Sequence, residues 1–434
     1  MYLSWLQIVR LGLVQMALGA IVVLMTSTLN RLMSVELALP VILPGFLVAL
    51  HYGVQITRPG WGFLSDTGGK RTRWIIGGMA ILGMGALMAT GSLRLFQDSF
   101  SMGLAASILA YALIGIGVGA SGTSLLALLA TATAPHRRAA AATITWLMMI
   151  FGIAVTAGTT GAFIDPFSHD RIFVIVSVVS GGALLLTALA IWGIEARVIA
   201  QTEPRDMPLV EGLAEVWAEP KARHFTLFIF LSMTAYFMQE LILEPYAGLV
   251  FGWTPGETTR LSGSQNGGVF VGMLLVGILA TGLRLGSLKA WVVAGCTGSA
   301  LALLALSVLG GLAHGSALMS VATVALGFFN GMFAVAAIGS MMALAGQGAG
   351  AREGSRMGLW GASQAIAAGF GGLAGAALVD GARAVFPTPT AFALTFALEA
   401  LLFLAAAAMA ARILGQTPSA REGLSRDIPM VHGE

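Results

Sequence analysis

The chain has 434 residues, of which 57% are hydrophobic and 10% charged, with a formal net charge of +3 and a mean hydropathy of +0.87. Soluble domains carry roughly 25% charged residues, so this composition excludes a water-soluble globule and indicates an integral protein of the lipid bilayer. The single cysteine, Cys296, excludes a disulfide framework and a cysteine metal cluster. We expect the lipid bilayer, and no nucleic acid, among the partners.

Twelve apolar runs are each long enough to cross a bilayer, which requires about 20 apolar residues. We therefore predict an all-α polytopic membrane protein with twelve transmembrane helices, and the even number places both termini on one side. The predicted helices span residues 11–29, 38–61, 74–93, 103–131, 139–162, 172–194, 225–250, 260–282, 288–311, 317–346, 357–379 and 390–411.

The placement of positive charge predicts the orientation. A short basic loop with Lys70, Arg71 and Arg73 separates the second and third predicted helices, and such loops stay on the cytoplasmic side. With this loop inside, 17 lysines and arginines lie on cytoplasmic segments and 5 on outer segments, while Arg58 lies within a helix. We therefore predict that both termini are cytoplasmic.

The longest polar segment divides the chain into two similar parts. We predict an N-terminal six-helix half at 1–194, a cytoplasmic linker at 195–224, a C-terminal six-helix half at 225–412 and a cytoplasmic tail at 413–434. Trp146 and Asp165 of the first half recur as Trp360 and Asp380 of the second, at an offset near 215 residues. An internal repeat of this kind is typical of transporters built from two related halves.

The basic loop resembles the loop between the second and third helices of the major facilitator superfamily. The matching residues are Gly62, Asp66, Gly69, Lys70 and Arg71. The resemblance implies the major facilitator fold and a conformational latch in which Asp66 caps a neighbouring helix while the cations brace it. The alternative is a loop whose charges only set the topology.

Several stretches, at 9–15, 28–36, 122–138, 146–152, 330–335 and 341–344, resemble the PucC/LhaA group of that superfamily. The most distinctive one is Gln239-Glu-Leu-Ile-Leu-Glu-Pro-Tyr-Ala-Gly248. This group is the bacteriochlorophyll-delivery branch, so the resemblance implies a bacterial inner-membrane protein that handles bacteriochlorophyll or a late precursor. Bacteriochlorophyll synthase and light-harvesting polypeptides are then candidate partners.

His51, inside the second predicted helix, is a candidate pigment-binding residue. Neutral imidazole is a ready metal ligand, and the magnesium of bacteriochlorophyll accepts one axial nitrogen. The alternative is a hydrogen-bonded histidine in a central cavity. No separate protein-bound metal ion is predicted.

Three further candidates for pigment binding lie on the seventh predicted helix: Glu240, Glu244 and Tyr246. The two carboxylates are one helical turn apart and share a face, and Pro245 frees backbone carbonyls beside them. Carboxylates at membrane depth usually have a function. Alternatively, both mark a solvated outer helix end or pair with Arg31 or Arg260. Glu399, in the last helix, is either a partner of a cation or a proton site.

Motifs for a catalytic site are absent from the sequence, including paired Asp-rich motifs for a magnesium diphosphate and a Gly-rich phosphate loop. We therefore predict a protein without catalytic residues. The family resemblance implies that it delivers bacteriochlorophyll or assists the assembly of light-harvesting complexes. The alternatives are a proton-coupled exporter of a small solute and a non-catalytic subunit of bacteriochlorophyll synthase.

Overall fold

The computed structural model describes residues 2–58, 61, 70–134, 137–195, 217–283, 285–312, 316–345 and 353–414. Eleven helices in these ranges are long and apolar enough to cross a membrane, and Ile42–Thr57 is a shorter apolar helix. The predicted twelve-helix, all-α architecture is thereby confirmed. In chain order the helices are α1 (Trp5–Glu36), α2 (Ile42–Thr57), α3 (Arg71–Asp98), α4 (Phe100–Ala132), α5 (Arg138–Phe163), α6 (His169–Ile191), α7 (Pro220–Phe251), α8 (Pro255–Val276), α9 (Leu288–Leu309), α10 (Ser316–Ala345), α11 (Glu353–Arg383) and α12 (Thr388–Ile413).

Helix α1 is longer than the apolar run that predicted it. It begins at a capping box formed by Ser4 and Gln7, and it contains two π-helical segments, Leu24–Thr28 and Leu32–Glu36. Polar residues at both ends of α1 belong to the helix because their side chains form hydrogen bonds. Arg10, for example, donates to the carbonyl oxygen of Trp192 at 2.6 Å. A span predicted from hydropathy alone ends at such polar residues, so the predicted helix was too short.

Helix α2 is shorter than predicted. The predicted span began at residue 38, but Ala38 has a φ of 50°, in the left-handed region that a helix cannot include. The described helix begins at Ile42 and tightens into a 3₁₀ turn at Gln55–Thr57. Residues 59–60 and 62–69 lie outside the described part of the chain.

The outer surface of the bundle is apolar, as contact with lipid requires. Helix α6, for example, exposes more than half of the side chains of Val174, Val178 and Leu185. An apolar surface of this extent marks a membrane-facing region, because soluble proteins rarely expose large continuous apolar patches.

Two large hydrophobic cores form, one mainly from α1–α6 and one mainly from α7–α12, and a small third cluster of Ile150, Val269 and Met273 lies between α5 and α8. Within each half, the third and fourth helices pack together, as α3 with α4 and α9 with α10. Between the halves, α5 packs along α8 and α2 along α11, so the repeat seen in the sequence produces two equivalent junctions. We refer to the end where α1, α3 and α5 begin as the predicted cytoplasmic end, and to the other as the predicted outer end.

Candidate functional site: a central cavity between the halves

A cavity of about 330 Å³ lies between the two halves. Its walls come from α1, α2, α4 and α5 on one side and from α7, α8, α10 and α11 on the other. The positions of the lining residues along these helices place it in the middle and the predicted cytoplasmic part of the bundle. Most lining residues are apolar. The polar ones are His51, Tyr52, Gln55 and Arg58 on α2, Tyr236, Gln239 and Glu240 on α7, Gln15, Thr26 and Ser27 on α1, Ser262, Gln265 and Asn266 on α8, and Gln364 on α11.

The α2 wall carries a chain of hydrogen bonds that fixes the protonation of His51. The Arg58 guanidinium donates to Gln55 Oε1, so the Gln55 amide nitrogen faces His51 Nε2, at 2.9 Å. An amide nitrogen only donates, so Nε2 must accept and the neutral imidazole carries its proton on Nδ1. Within the described residues Nδ1 has no hydrogen-bond partner, and the side chain is only 2% exposed.

This arrangement bears directly on the idea of a magnesium ligand. Coordination needs a free nitrogen lone pair, but Nε2 already accepts a hydrogen bond and Nδ1 carries the proton. In this conformation His51 therefore offers a cavity ligand a hydrogen-bond donor. Axial ligation would require Gln55 to turn away first.

Glu240 and Glu244 lie on the opposite wall but in different surroundings. Glu240 lines the cavity, near Thr26 of α1. Glu244 lies one turn nearer the predicted outer end, is 1% exposed, and accepts a short hydrogen bond from Ser27 of α1. The hydroxyl proton of Ser27 is used in this hydrogen bond to Glu244. The second hydrogen bond of Ser27 Oγ, 2.9 Å from Ser262 Oγ of α8, is therefore donated by Ser262.

The alternative that Glu244 and Pro245 mark a solvated helix end is wrong. Helix α7 continues through Pro245 to Phe251, and Gly252 ends it in the left-handed conformation. Arg31 pairs with Glu36 and donates to the Trp253 carbonyl oxygen, at 2.7 Å.

Pro245 frees one backbone carbonyl, as the sequence predicted. Proline lacks the N–H that would bond to the residue four positions earlier, here Leu241. The Asn30 side chain of α1 donates to that carbonyl oxygen at 2.5 Å. The gap in the α7 ladder is thus filled by a side chain of the other half, which ties α1 to α7.

Two aspartates close the predicted outer end in equivalent ways. Asp165, after α5, accepts hydrogen bonds from Thr254 Oγ1 at 2.6 Å and the Gly256 amide at 3.1 Å, at the start of α8. Asp380, in α11, accepts from the Ile42 amide at 2.7 Å, at the start of α2. Each carboxylate thus caps a helix N-terminus of the opposite half, where it is favourable for both hydrogen bonding and the helix dipole.

Glycines allow α5 and α8 to approach closely beside Asp165. A Cβ atom on Gly256 would lie 2.6 Å from the Gly161 carbonyl oxygen, and one on Gly263 would lie 2.6 Å from the Gly158 amide nitrogen. Such distances leave no room for a side chain. The two backbones therefore meet directly at these points of the junction.

Comparison with known proteins identifies the family. The sequence profile described as "PUCC protein" matches residues 28–417. The chain belongs to the PUCC family. It is 64% identical over 423 residues to the "Bacteriochlorophyll synthase 44.5 kDa chain" of Rhodobacter capsulatus, covering 97% of this chain and 98% of that protein. It is also 30% identical over 393 residues to "Protein PucC" of Cereibacter sphaeroides, covering 86% and 83%.

Solved structures show that this PUCC protein has the major facilitator fold. A bacterial homologue of the human lysosomal transporter Spinster superposes with a TM-score of 0.69 at 15% identity, covering 95% of this chain and 98% of that one. The nucleoside transporter NupG superposes with a TM-score of 0.68 at 12% identity, covering 94% and 99%.

Tyr246 of the PUCC chain is not brought to the cavity. Its hydroxyl donates to the Leu306 carbonyl oxygen at 2.8 Å, and its ring packs against Phe392 and Phe396 with centroid distances of 5.2 and 5.0 Å. The side chain, 1% exposed, thus lies in the core of the C-terminal half. Of the four predicted pigment-binding residues, His51 and Glu240 line the cavity and Glu244 lies just beyond it.

The predicted latch of this PUCC protein is described only in part, because Gly62, Asp66 and Gly69 lie outside the described residues. Lys70 precedes α3 and is exposed. Arg71 is 6% exposed and donates to Thr131 Oγ1 of α4 at 2.5 Å.

The N-terminus of α3 is capped by Glu195, which the sequence analysis did not single out. Glu195 accepts from the Arg71 amide at 2.7 Å, the Thr72 amide at 3.0 Å and the Thr72 hydroxyl at 2.6 Å. It lies four residues after the end of α6, at the first residue of the predicted linker. An acid at the boundary between an apolar run and a polar segment is the signal that could have suggested a cap.

We expect Glu195→Ala to lower the stability of the protein by about 1–2 kcal/mol, because the α3 N-terminus loses its cap. The measurement is the thermal unfolding midpoint in detergent. Asp98→Ala is the control, since Asp98 is an exposed acid at the other end of α3. Equal midpoints for the two variants would contradict the capping role.

Glu399 is buried inside the C-terminal half, on α12. It is 0% exposed, and within the described chain neither carboxyl oxygen has a hydrogen-bond partner. Its pairing with a cation, one of the two predicted alternatives, is not seen among these residues. The described residues also contain no group of three or more His, Cys, Asp or Glu side chains that could hold a metal ion.

Proposed function

We propose that this chain binds bacteriochlorophyll or a late precursor in its central cavity and delivers it to the proteins that use it. The observation that carries this proposal is the cavity itself: a largely apolar space between the halves, in which a minority of the lining residues, from both halves, carry hydrogen-bonding groups. Largely apolar sites with a few placed polar groups suit flat, apolar ligands. The 64% identical relative, whose name refers to bacteriochlorophyll synthase, supports this choice of cargo.

The residues of the cavity would contact different parts of the pigment. The apolar side chains of α1, α5 and α8 would cover the faces of the ring system, while His51 donates a hydrogen bond from Nδ1 to an oxygen at its edge. Tyr52 and Phe237, with ring centroids 5.7 Å apart, bring aromatic surface from both halves to one side of the cavity. The closed junctions at Asp165 and Asp380 leave the predicted cytoplasmic end as the route in and out.

A cytoplasmic route for the pigment is consistent with the following location and partners of the protein. We place the protein in the bacterial inner membrane with its termini in the cytoplasm, where it would pass bacteriochlorophyll or a late precursor to a synthase or to light-harvesting polypeptides. The chain would then serve as a carrier or scaffold beside bacteriochlorophyll synthase, without catalytic residues of its own.

The test is an absorption spectrum of the protein purified in mild detergent from pigment-producing cells. We expect bound bacteriochlorophyll or a precursor in the native protein, and less than half as much per protein in His51→Leu. His169→Leu is a matched control, because His169 also bonds through Nε2 to a glutamine, Gln97, at 2.9 Å, but outside the cavity. We expect it to retain the native amount.

The outcomes separate two claims. A native protein that carries no pigment and takes none up when it is added would overturn the proposed function. Equal pigment in His51→Leu and His169→Leu would remove His51 from the site and leave the delivery role standing.

A further inference from the structure

Arg58 is the only lysine or arginine that lines the cavity within the described residues. Its guanidinium donates to Gln55 Oε1, and among the described side chains it forms no ion pair with a carboxylate. A guanidinium has five N–H donors in a planar fork that matches the two oxygens of a carboxylate. Most of its donors are therefore still available to a ligand.

The position of Arg58 suits a ligand that enters from the predicted cytoplasmic end. It lies at the end of α2, after the 3₁₀ turn, with its side chain exposed. The indole of Trp61 and the stem of Arg58 meet Gly119 of α4, where an added Cβ would lie 3.3 Å from the indole and 4.0 Å from Arg58 Cγ. The indoles of Trp61 and Trp74 are 5.8 Å apart. A cation thus stands beside flat aromatic surface at the mouth of an apolar cavity.

His51 and Arg58 are joined through Gln55 and present two donors along one wall. Their backbone positions are seven residues apart along α2, which corresponds to a rise of about 10 Å, and the side chains approach more closely through the Gln55 amide. His51 Nδ1 is a buried donor without a partner among the described residues, deeper in the cavity. The wall therefore offers a neutral donor inside and a charged donor at the mouth, with Gln55 between them.

From this arrangement we infer that the cavity selects a flat apolar ligand that carries a free carboxylate, which Arg58 binds, and an oxygen acceptor, which His51 binds. This inference rests on the proposed function and narrows its cargo. The ligand is the acid form of the pigment, before its carboxylate is esterified with a long-chain alcohol. An ester keeps the ring system but loses the charge that pairs with Arg58.

The experiment measures binding of two probes to the purified full-length protein by quenching of its tryptophan fluorescence. The probes are bacteriochlorophyllide, which has a free carboxylate, and its methyl ester. We expect the native protein to bind the acid at least about tenfold more tightly than the ester, since charged hydrogen bonds are roughly twice as strong as neutral ones. Arg58→Gln should bind both probes alike, and Arg58→Lys should keep part of the preference.

Arg94→Gln is the matched control. Arg94 is an exposed arginine at the predicted outer end, paired with Asp170 within the same half, and it does not line the cavity. We expect it to discriminate between acid and ester as the native protein does. The ester contains the same ring system, so any difference between the probes reports on the carboxylate.

Two results would overturn the inference in different ways. If acid and ester bind equally to the native protein, or if Arg58→Gln keeps the preference, Arg58 does not select a carboxylate while the cavity still binds pigment. If neither probe binds, the proposed function fails as well. If Arg58→Gln is recovered in low amount, Arg58→Lys and the native protein still give the comparison.

Discussion

Removing both aspartates at the predicted outer end should open that end of the protein to reagents from outside. Asp165 caps α8 and Asp380 caps α2, each from the opposite half, so Asp165→Ala and Asp380→Ala together remove one link at each equivalent junction. Loss of one cap costs about 0.5–2 kcal/mol, so the pair costs about 1–4 kcal/mol. Since about 1.4 kcal/mol is a tenfold change in an equilibrium, we expect the open population to rise roughly tenfold or more.

A single reporter cysteine makes this change measurable. Thr259 is fully buried between the halves, 3.5 Å from Thr28 of α1, so Thr259→Cys should react slowly with a membrane-impermeant maleimide. Cys296, the native cysteine, is buried and is replaced by alanine in the background. We expect the labelling rate from the outer side to rise about tenfold in the double aspartate variant, with each single variant in between.

Asp170→Ala is the control for the loss of an outer acid. Asp170 pairs with Arg94 inside the N-terminal half, so it does not join the halves. An unchanged labelling rate in the double variant, with normal amounts of protein in the membrane, would show that these caps do not hold the end closed.

Glu244→Gln should lower bacteriochlorophyll accumulation several-fold while the protein stays in the membrane. A buried carboxylate without a cation is costly, and Glu244 has no ion-pair partner among the described residues. When the halves separate, water reaches this group and it can ionise. Glutamine keeps the shape and the acceptor for Ser27, but it cannot gain or lose a proton, so the junction loses its dependence on protonation.

The measurement is pigment per cell divided by the amount of this protein, in a strain that lacks the native gene. Glu257→Gln is the matched control, because Glu257 belongs to the capping box at the start of α8 and glutamine fills that position equally well. We expect native accumulation in this control. Native accumulation in Glu244→Gln as well would remove proton binding at Glu244 from the function.

The sequence could predict the helices and the repeat because both are local properties. A run of apolar residues predicts a transmembrane helix whatever that helix packs against. The offset between Asp165 and Asp380 can likewise be read from the sequence without knowledge of the tertiary structure. The partners of those aspartates were not predictable, because each caps a helix of the other half that is distant in sequence. For the same reason Glu195 escaped notice: it lies 124 residues from the amide of Arg71 that it caps.

The chemistry of the cavity was predicted by residue type but not by proton position. His51 was identified as a histidine at membrane depth, which suggested a metal ligand. In the structure the imidazole instead presents a donor, because Arg58, two turns away, fixes the orientation of Gln55 and thereby the proton of the imidazole. A sequence specifies these three residues but not the hydrogen bonds that join them. Tyr246 illustrates the opposite error, since its place in a distinctive stretch suggested a site while its ring packs in a core.

The contact between Asn30 and the Leu241 carbonyl oxygen, opened by Pro245, has a consequence for how this family can evolve. The side chain of Asn30 can donate to the Leu241 carbonyl oxygen because Pro245 leaves that oxygen without an intrahelical donor. A lineage that replaced the proline would supply that donor from its own backbone and release position 30 from selection. A lineage that lost the asparagine first would leave a bare carbonyl at membrane depth. We therefore expect the two positions to be coupled in evolution, so that the order in which they are substituted matters.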